Sequence, residues 1–355
     1  MRILHTADLH LKEYGDERWE ALKKLINIAN EERVDLFVIC GDLFDKEVKA
    51  ELLRSKIREI FSGNNFKIIL LPGNHDKEVY ESRFYFGEDV ILLNNLNEPF
   101  EYKNLMIWGL PFEPIEGEKV FAKLYSLANK LTSNKTNILL YHGELLDTFF
   151  SRKDFGEEGK ERYMPVKLSY FSDLNIKYVL AGHFHSRFEA WQLESGGYFI
   201  YPGSPVSITK KETGRRKINL FEIGKPPKEY FLDTPHFEEV LINLDPFLEK
   251  DPLEIINESL TDVHPQAKII LTVKGYINSN KIKKSESELV EEIKRFVKEK
   301  YFIEELKIEF KDLYKILEKD LFKKFMEKLE KACYEEERKR QMCEVLIRAM
   351  IEAEL

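Results

Sequence analysis

Leu36-Phe37-Val38-Ile39-Cys40-Gly41-Asp42 (residues 36–42) sets five apolar side chains in a row, then a glycine, then a carboxylate. An apolar run of that length, rich in β-branched and aromatic residues, suits a strand buried on both faces, as in a parallel sheet. A carboxylate has no place inside such a run, so Asp42 marks the strand's end. The pattern recurs along the first half of the chain. Apolar runs at 2–7, 67–71, 137–141 and 177–181 lead into Asp8-Leu9-His10, Gly73-Asn74-His75-Asp76, His142-Gly143 and Gly182-His183-Phe184-His185. Of eight histidines, five lie in these motifs, leaving His5, His236 and His264 outside.

Between these runs, 17–30, 49–61 and 116–131 carry helical spacing, as in Trp19, Leu22, Ile26 and Ala29. Strand–helix alternation predicts an α/β layered fold. Hairpins are expected at 98–108 and 188–201, and further strands at 217–222 and 228–232. Prolines at 226, 227 and 235 place a boundary near 235. Beyond it, a strand at 237–244, a helix opened by Asp251-Pro252, alternation at Ile269, Leu271 and Val273, a helix through Leu289, Ile293 and Val297, and alternation at Leu306, Ile308 and Phe310 predict a small α+β domain over 235–310. From 311 the pattern is helical, with helices expected at 313–332 and 335–353 and no glycine or proline.

In open α/β sheets, ligands collect beyond the carboxyl ends of the strands. Each motif follows a predicted strand, so all can face one crevice. Asp8, His10, Asp42, Asn74, His142, His183 and His185 are candidate metal donors. Seven are too many for one tetrahedral zinc and suit two metals sharing a carboxylate. Oxygen and imidazole donors without cysteine favour Mn²⁺ or Fe²⁺ over a structural zinc. His75 is not needed for that count and is the candidate catalytic acid at a leaving oxygen. Asp76 either orients His75 or serves a structural role.

Together, D-x-H, G-D, G-N-H-D, H and G-H-x-H resemble the calcineurin-like metallophosphoesterase superfamily. Within it, residues 3–11, Gly41-Asp42-Leu43-Phe44-Asp45, Leu71-Pro72-Gly73-Asn74-His75-Asp76 and Tyr201-Pro202-Gly203-Ser204 resemble the SbcD, or meiotic-recombination-eleven, nucleases. The resemblance implies a four-layer α/β sandwich over 1–234 bearing a two-metal nuclease site, an α+β capping domain over 235–310, and a C-terminal helical pair over 311–355 that binds an SbcC-type (Rad-fifty class) coiled-coil ATPase. It implies one Mn²⁺ on Asp8, His10, Asp42 and His185, and a second on Asp42, Asn74, His142 and His183, with Fe²⁺ or Mg²⁺ as substitutes. His75 would assist the leaving group. The implied reaction is 3′→5′ exonuclease and single-strand or hairpin endonuclease cleavage of DNA, by a homodimer acting in double-strand-break repair. Lys12 stands where the family usually has glycine, and the spacing from Asp8 to Asp42 is short, so the loop facing DNA is expected to be trimmed.

Composition adds bounds. Apolar residues make up 43% of 355, enough for more than one core, and no run approaches the ~20 residues of a membrane span. Three cysteines and the lack of a leader pattern predict a reducing, cytoplasmic setting. A net charge of −8 does not advertise nucleic-acid binding. The loop 210–217, with five cations in eight positions, reads equally as a phosphate contact and as a solvated turn. Two rival readings stand beside the nuclease. One is a phosphatase or cyclic-nucleotide phosphodiesterase on the same scaffold, and the other is a DNA-tethering scaffold subunit.

Overall fold

The computed structural model describes residues 1–46, 48–80, 85–148, 163–247 and 250–353. The chain divides into two compact units, Met1–Phe237 and Glu238–Leu355.

The first unit holds two six-stranded sheets. In the first, the order is Glu229–Phe231, Lys217–Glu222, Arg2–Thr6, Leu36–Cys40, Lys67–Leu71 and Val90–Leu92. The four strands from Arg2–Thr6 onward run parallel, and Lys217–Glu222 pairs antiparallel to the first of them. In the second sheet, Leu105–Leu110, Thr136–His142, Tyr178–Gly182 and Tyr198–Tyr201 are parallel, flanked by antiparallel edges Phe100–Tyr102 and Glu189–Gln192. The strands expected ahead of the five motifs are all present. Val90–Leu92 is an edge strand of three residues, too short to show a period in sequence.

Period-two alternation builds the layers. Ile3, Leu36, Val38, Cys40, Ile69 and Leu71 of the first sheet share one core with Leu105, Ile107, Ile138, Leu140, Leu180 and Ile200 of the second. The opposite face of the first sheet (Leu4, Phe37, Ile39, Ile68, Leu70) is covered by helices Glu17–Glu31 and Ala50–Phe61, through Trp19, Leu22, Leu25, Leu53 and Ile57. The opposite face of the second (Trp108, Leu139, Tyr141, Val179) is covered by helix Glu118–Ala128, through Val120, Leu124 and Leu127. The result is helix, sheet, sheet, helix. Asp16 starts the first helix, accepting from the amides of Arg18 (3.0 Å) and Trp19 (3.3 Å), two donors the helix leaves orphaned. Each apolar side chain fully buried in these cores contributes about 1.5–3 kcal/mol, so the sandwich can hold strained backbone at its rim.

In the second unit, His236–Leu244, Ala267–Ile277 and Ile303–Asp312 form a three-stranded sheet whose last two strands are parallel. Helices Pro252–Thr261 and Glu286–Lys300 pack on it through Ile256, Leu260, Leu289, Ile293 and Val297. Ser285 and Glu288 form a reciprocal capping box at the second helix. The last strand runs to Asp312, so helix begins slightly later than expected. The first expected tail helix is two: Tyr314–Leu317 and Asp320–Glu330, interrupted where Lys319 adopts extended backbone (φ −67°, ψ 142°). Helix Glu336–Glu352 follows, and residues 354–355 of the expected tail lie outside the described residues. Ile316, Ile347 and Met350 pack with Tyr276 of the sheet, so the helices belong to the same compact unit as the strands. Among the described residues no helix is long and apolar enough to cross a membrane.

Candidate metal centre

The parallel strands of both sheets deliver their carboxyl ends to one rim of the sandwich. Asp8 and His10 follow Arg2–Thr6, Asp42 follows Leu36–Cys40, and Asn74 and His75 follow Lys67–Leu71. From the second sheet, His142 ends Thr136–His142, and His183 and His185 follow Tyr178–Gly182. The chain turns sharply at this rim: Asp8 (φ 56°), His10 (φ 48°), Asp42 (φ 51°) and His183 (φ 92°) all have positive φ. For residues with a Cβ this costs roughly 1–2 kcal/mol each. Gly41 (φ +88°) leaves room for the site itself, since a Cβ there would overlap the His142 ring.

Asp8, His10 and His185 each place one donor atom within 4.8 Å of the other two, and so do Asp8, Asp42 and His142. His10 Nε2 and His185 Nε2 stand 3.4 Å apart, and His185 Nε2 lies 3.7 Å from Asp8 Oδ1. Asp42 Oδ2 lies 3.3 Å from His142 Nε2 and 3.7 Å from His10 Nε2, so it reaches a ring of each group. Asn74 joins through its Oδ1, 2.8 Å from His142 Nε2. His183 is not in either triad. Its amide donates to both Asp8 oxygens (3.1 and 3.0 Å), and its ring centroid lies 5.3 Å from that of His142 and 4.7 Å from that of Tyr163.

Burial sets the charges. Asp8 is pushed up to about 6 by desolvation, against the pull of His185 and His142. Burial also acts to raise Asp42, but His142 and His10 outweigh it and hold that carboxyl well below the usual range. His10 is pushed down to about 3 by burial. Burial likewise opposes charge on His142, which Asp42 nevertheless raises to about 9.

These residues fit a divalent metal pair. Asp42 Oδ2 is buried and accepts no hydrogen bond among the described residues. The facing Nε2 atoms of His10 and His185 converge with a buried carboxylate on one point. A cation would match the Asp42 oxygen and receive the converging ring nitrogens. The donors are oxygen and imidazole. Cys40, the nearest sulfur by sequence, donates to Leu180 O (3.1 Å) instead.

His75 is partly exposed at the edge of this cluster, its ring 4.6 Å from that of His10 and perpendicular to it. Asp76 serves the backbone: it accepts from the amides of Gly73 (2.8 Å) and Phe44 (3.2 Å) and from the Tyr80 hydroxyl (3.1 Å). The carboxylate beside the His75 ring is Asp45, 3.5 Å from Nδ1, itself paired with Lys12 (2.9 Å) and Arg18 (3.3 Å). Asp45 is visible in sequence as part of the Gly41–Asp45 motif, but nothing in its spacing points at His75. The amide of Lys46 also approaches His75 Nδ1 (3.3 Å), so both contacts fall on that nitrogen.

The loop 210–217 is less basic in space than in sequence. Arg216 is buried, donating to Ser204 O (2.9 Å) and Ser186 O (3.0 Å). Arg215 pairs with Asp233 and Lys217 with Glu229, and Lys210, Lys211 and Arg215 are exposed. Within the loop, Glu212 is buried against His185, a contact hidden in sequence by the run of cations.

The profile of the family described as calcineurin-like phosphoesterase matches residues 1–187, more than half of the chain, and takes in every donor described above. The chain belongs to the calcineurin-like phosphoesterase family. It is also 24% identical over 232 residues to the DNA double-strand break repair protein Mre11 of Saccharolobus solfataricus, covering 60% of this chain and 56% of that protein. It is 24% identical over 296 residues to the SbcD component of the SbcCD nuclease of Staphylococcus saprophyticus, covering 74% of this chain and 73% of that one. The match spans little more than half the length of the archaeal Mre11 proteins.

Proposed function

We propose that this phosphoesterase is a DNA nuclease using two Mn²⁺ ions, acting as 3′→5′ exonuclease and single-strand or hairpin endonuclease in double-strand-break repair. The observation that carries the reading is the convergence of Asp8, His10, Asp42, His142 and His185 at the rim, alongside similarity to Mre11 and SbcD proteins. Asp8, His10, Asp42 and His185 would hold one ion, and Asp42, Asn74, His142 and His183 the other. The ions supply positive charge against the phosphate and lower the pKa of a water. His75 groups with His10 and Asp45 rather than with either donor triad; it would bring a proton to the leaving oxygen while Asp45, beside Nδ1, holds the imidazole in place. Asp42, touching a ring of each group, fixes the two halves of the site relative to each other.

The partner proposed for the tail is an SbcC-type ATPase. Leu321 and Val345 on the terminal helices are 61% and 67% exposed, an apolar surface that the chain's own fold does not use. A homodimer and a cytoplasmic setting belong to the same reading.

End-labelled single-stranded and hairpin DNA, incubated with the chain and Mn²⁺ beside p-nitrophenyl phosphate, tests the substrate class. Shortening of the labelled strands with little monoester turnover is expected. Rapid monoester turnover with intact DNA would replace the nuclease with a phosphatase.

A further inference from the structure

We propose that Glu212 is a positioning residue for the metal centre: it accepts the Nδ1 proton of His185 and so turns the Nε2 lone pair of that ring toward Asp8 and His10. This rests on the dimetal reading above, and it concerns a residue outside all five strand-end motifs.

Glu212 is fully buried, on a loop whose neighbours are mostly cationic. Its Oε1 lies 3.3 Å from His185 Nδ1 and 3.2 Å from Thr209 Oγ1. Its Oε2 accepts from the amide of Ile208 (2.8 Å) and from Ser204 Oγ (3.3 Å). The Ile208 amide, the Thr209 hydroxyl and the imidazole surround the carboxylate and fix its plane, and the Ser204 hydroxyl shares its proton between Val206 O and Oε2. Arg216, also buried, grips the backbone of the same segment, donating to the carbonyls of His185, Ser186 and Ser204. One charged group holds the His185 ring and the other its main chain.

A turn needing only polar anchoring can be tied by an amide or hydroxyl. Burying a carboxylate is costly unless something cationic faces it. Buried Arg216 supplies part of that charge, and an imidazole whose Nε2 coordinates a cation supplies more, because its Nδ1–H becomes a stronger donor; a carboxylate partner in turn raises the basicity of the coordinating nitrogen. His142 provides the comparison. Its Nδ1 faces the neutral carbonyl of Cys40 at 2.9 Å, which selects the same ring orientation without a charge. The two rings are therefore oriented alike but tuned differently, and the difference falls on the group that holds His185.

The test uses the full chain stripped of metal. Unbound Mn²⁺ is followed by electron paramagnetic resonance through a titration of wild type and Glu212→Gln, whose amide oxygen can still accept from Nδ1. Wild type is expected to take up two ions. Glu212→Gln should bind one of them about 10-fold or more weakly and the other unchanged, while its metal-free melting temperature falls because buried Arg216 loses a facing charge. Equal binding by both proteins, or equal weakening of both sites, overturns the assignment. Nitrogen NMR of the metal-free wild type, at a pH where the His185 ring is neutral, needs no variant: the single proton on Nδ1 is expected, and a single proton on Nε2 overturns it. Wild type that binds no Mn²⁺ removes the dimetal reading and this proposal with it, whereas normal wild-type uptake with an unaffected variant removes only the role of Glu212.

Discussion

At the scale of single residues, the metal centre is assembled from positions that stability alone would not choose. Four left-handed backbones and a set of buried, mutually close carboxylates and imidazoles are concentrated at one rim. Local strain of that kind points to function. Replacing His75 with alanine should lower cleavage by roughly 10²–10⁴-fold while two Mn²⁺ still bind. His185→Ala should instead lower the metal content toward one ion per chain. Elemental analysis beside a cleavage assay separates the two, and metal loss in the His75 variant would make that residue a ligand. His5 offers a pH test. Burial pushes it down to about 3, below the ordinary value of about 6.5. A depressed imidazole contributes stability that is complete above pH 6.5 and is lost as the pH falls toward 3. At pH 5 the loss is about 2 kcal/mol for this group. Urea unfolding of metal-free protein at pH 7.5 and pH 5 should show a smaller difference for His5→Asn than for wild type, by about that amount.

At the scale of elements, the parallel order of the strands does the assembling. Each motif follows a strand whose neighbours point the same way, so donors from separate segments arrive at one edge without any long loop. Sequence revealed these strands because their runs are buried on both faces and end at a carboxylate, a histidine or a glycine. The tail was harder to read. A four-residue apolar recurrence continues through Lys319, and nothing in the side chains there announces the extended backbone that splits the helix. Its inner stripe packs on Tyr276, and Leu321 and Val345 stay exposed. Leu321→Glu and Val345→Glu change only exposed positions, so unfolding free energy should stay within about 0.5 kcal/mol of wild type. Together they should weaken co-purification of an SbcC-type ATPase by roughly tenfold or more, about 1.4 kcal/mol. Unimpaired complex formation would move the docking surface elsewhere.

At the scale of the whole molecule, metal binding and folding are linked. The metal-free site holds buried groups in mutual conflict, so ions that bind the folded chain alone stabilise it by mass action. At a hundredfold excess over the dissociation constant each site adds about 2.7 kcal/mol. Calorimetry of chelator-treated protein with and without Mn²⁺ should show an upward shift of the transition carried by Met1–Phe237. A transition that ignores the ion would argue against the centre.

The sequence by itself determined the layered α/β architecture and the strand ends that carry the candidate donors, because each of these is written in local periodicity and in the residue that breaks it. Tertiary structure decided which carboxylates serve which imidazoles. Asp45 rather than Asp76 lies beside the His75 ring, and Glu212 reaches His185 across 27 positions of chain. Such pairings depend on how separately built strands and loops close in space, and no local pattern along a chain records the distance between side chains that only packing brings together.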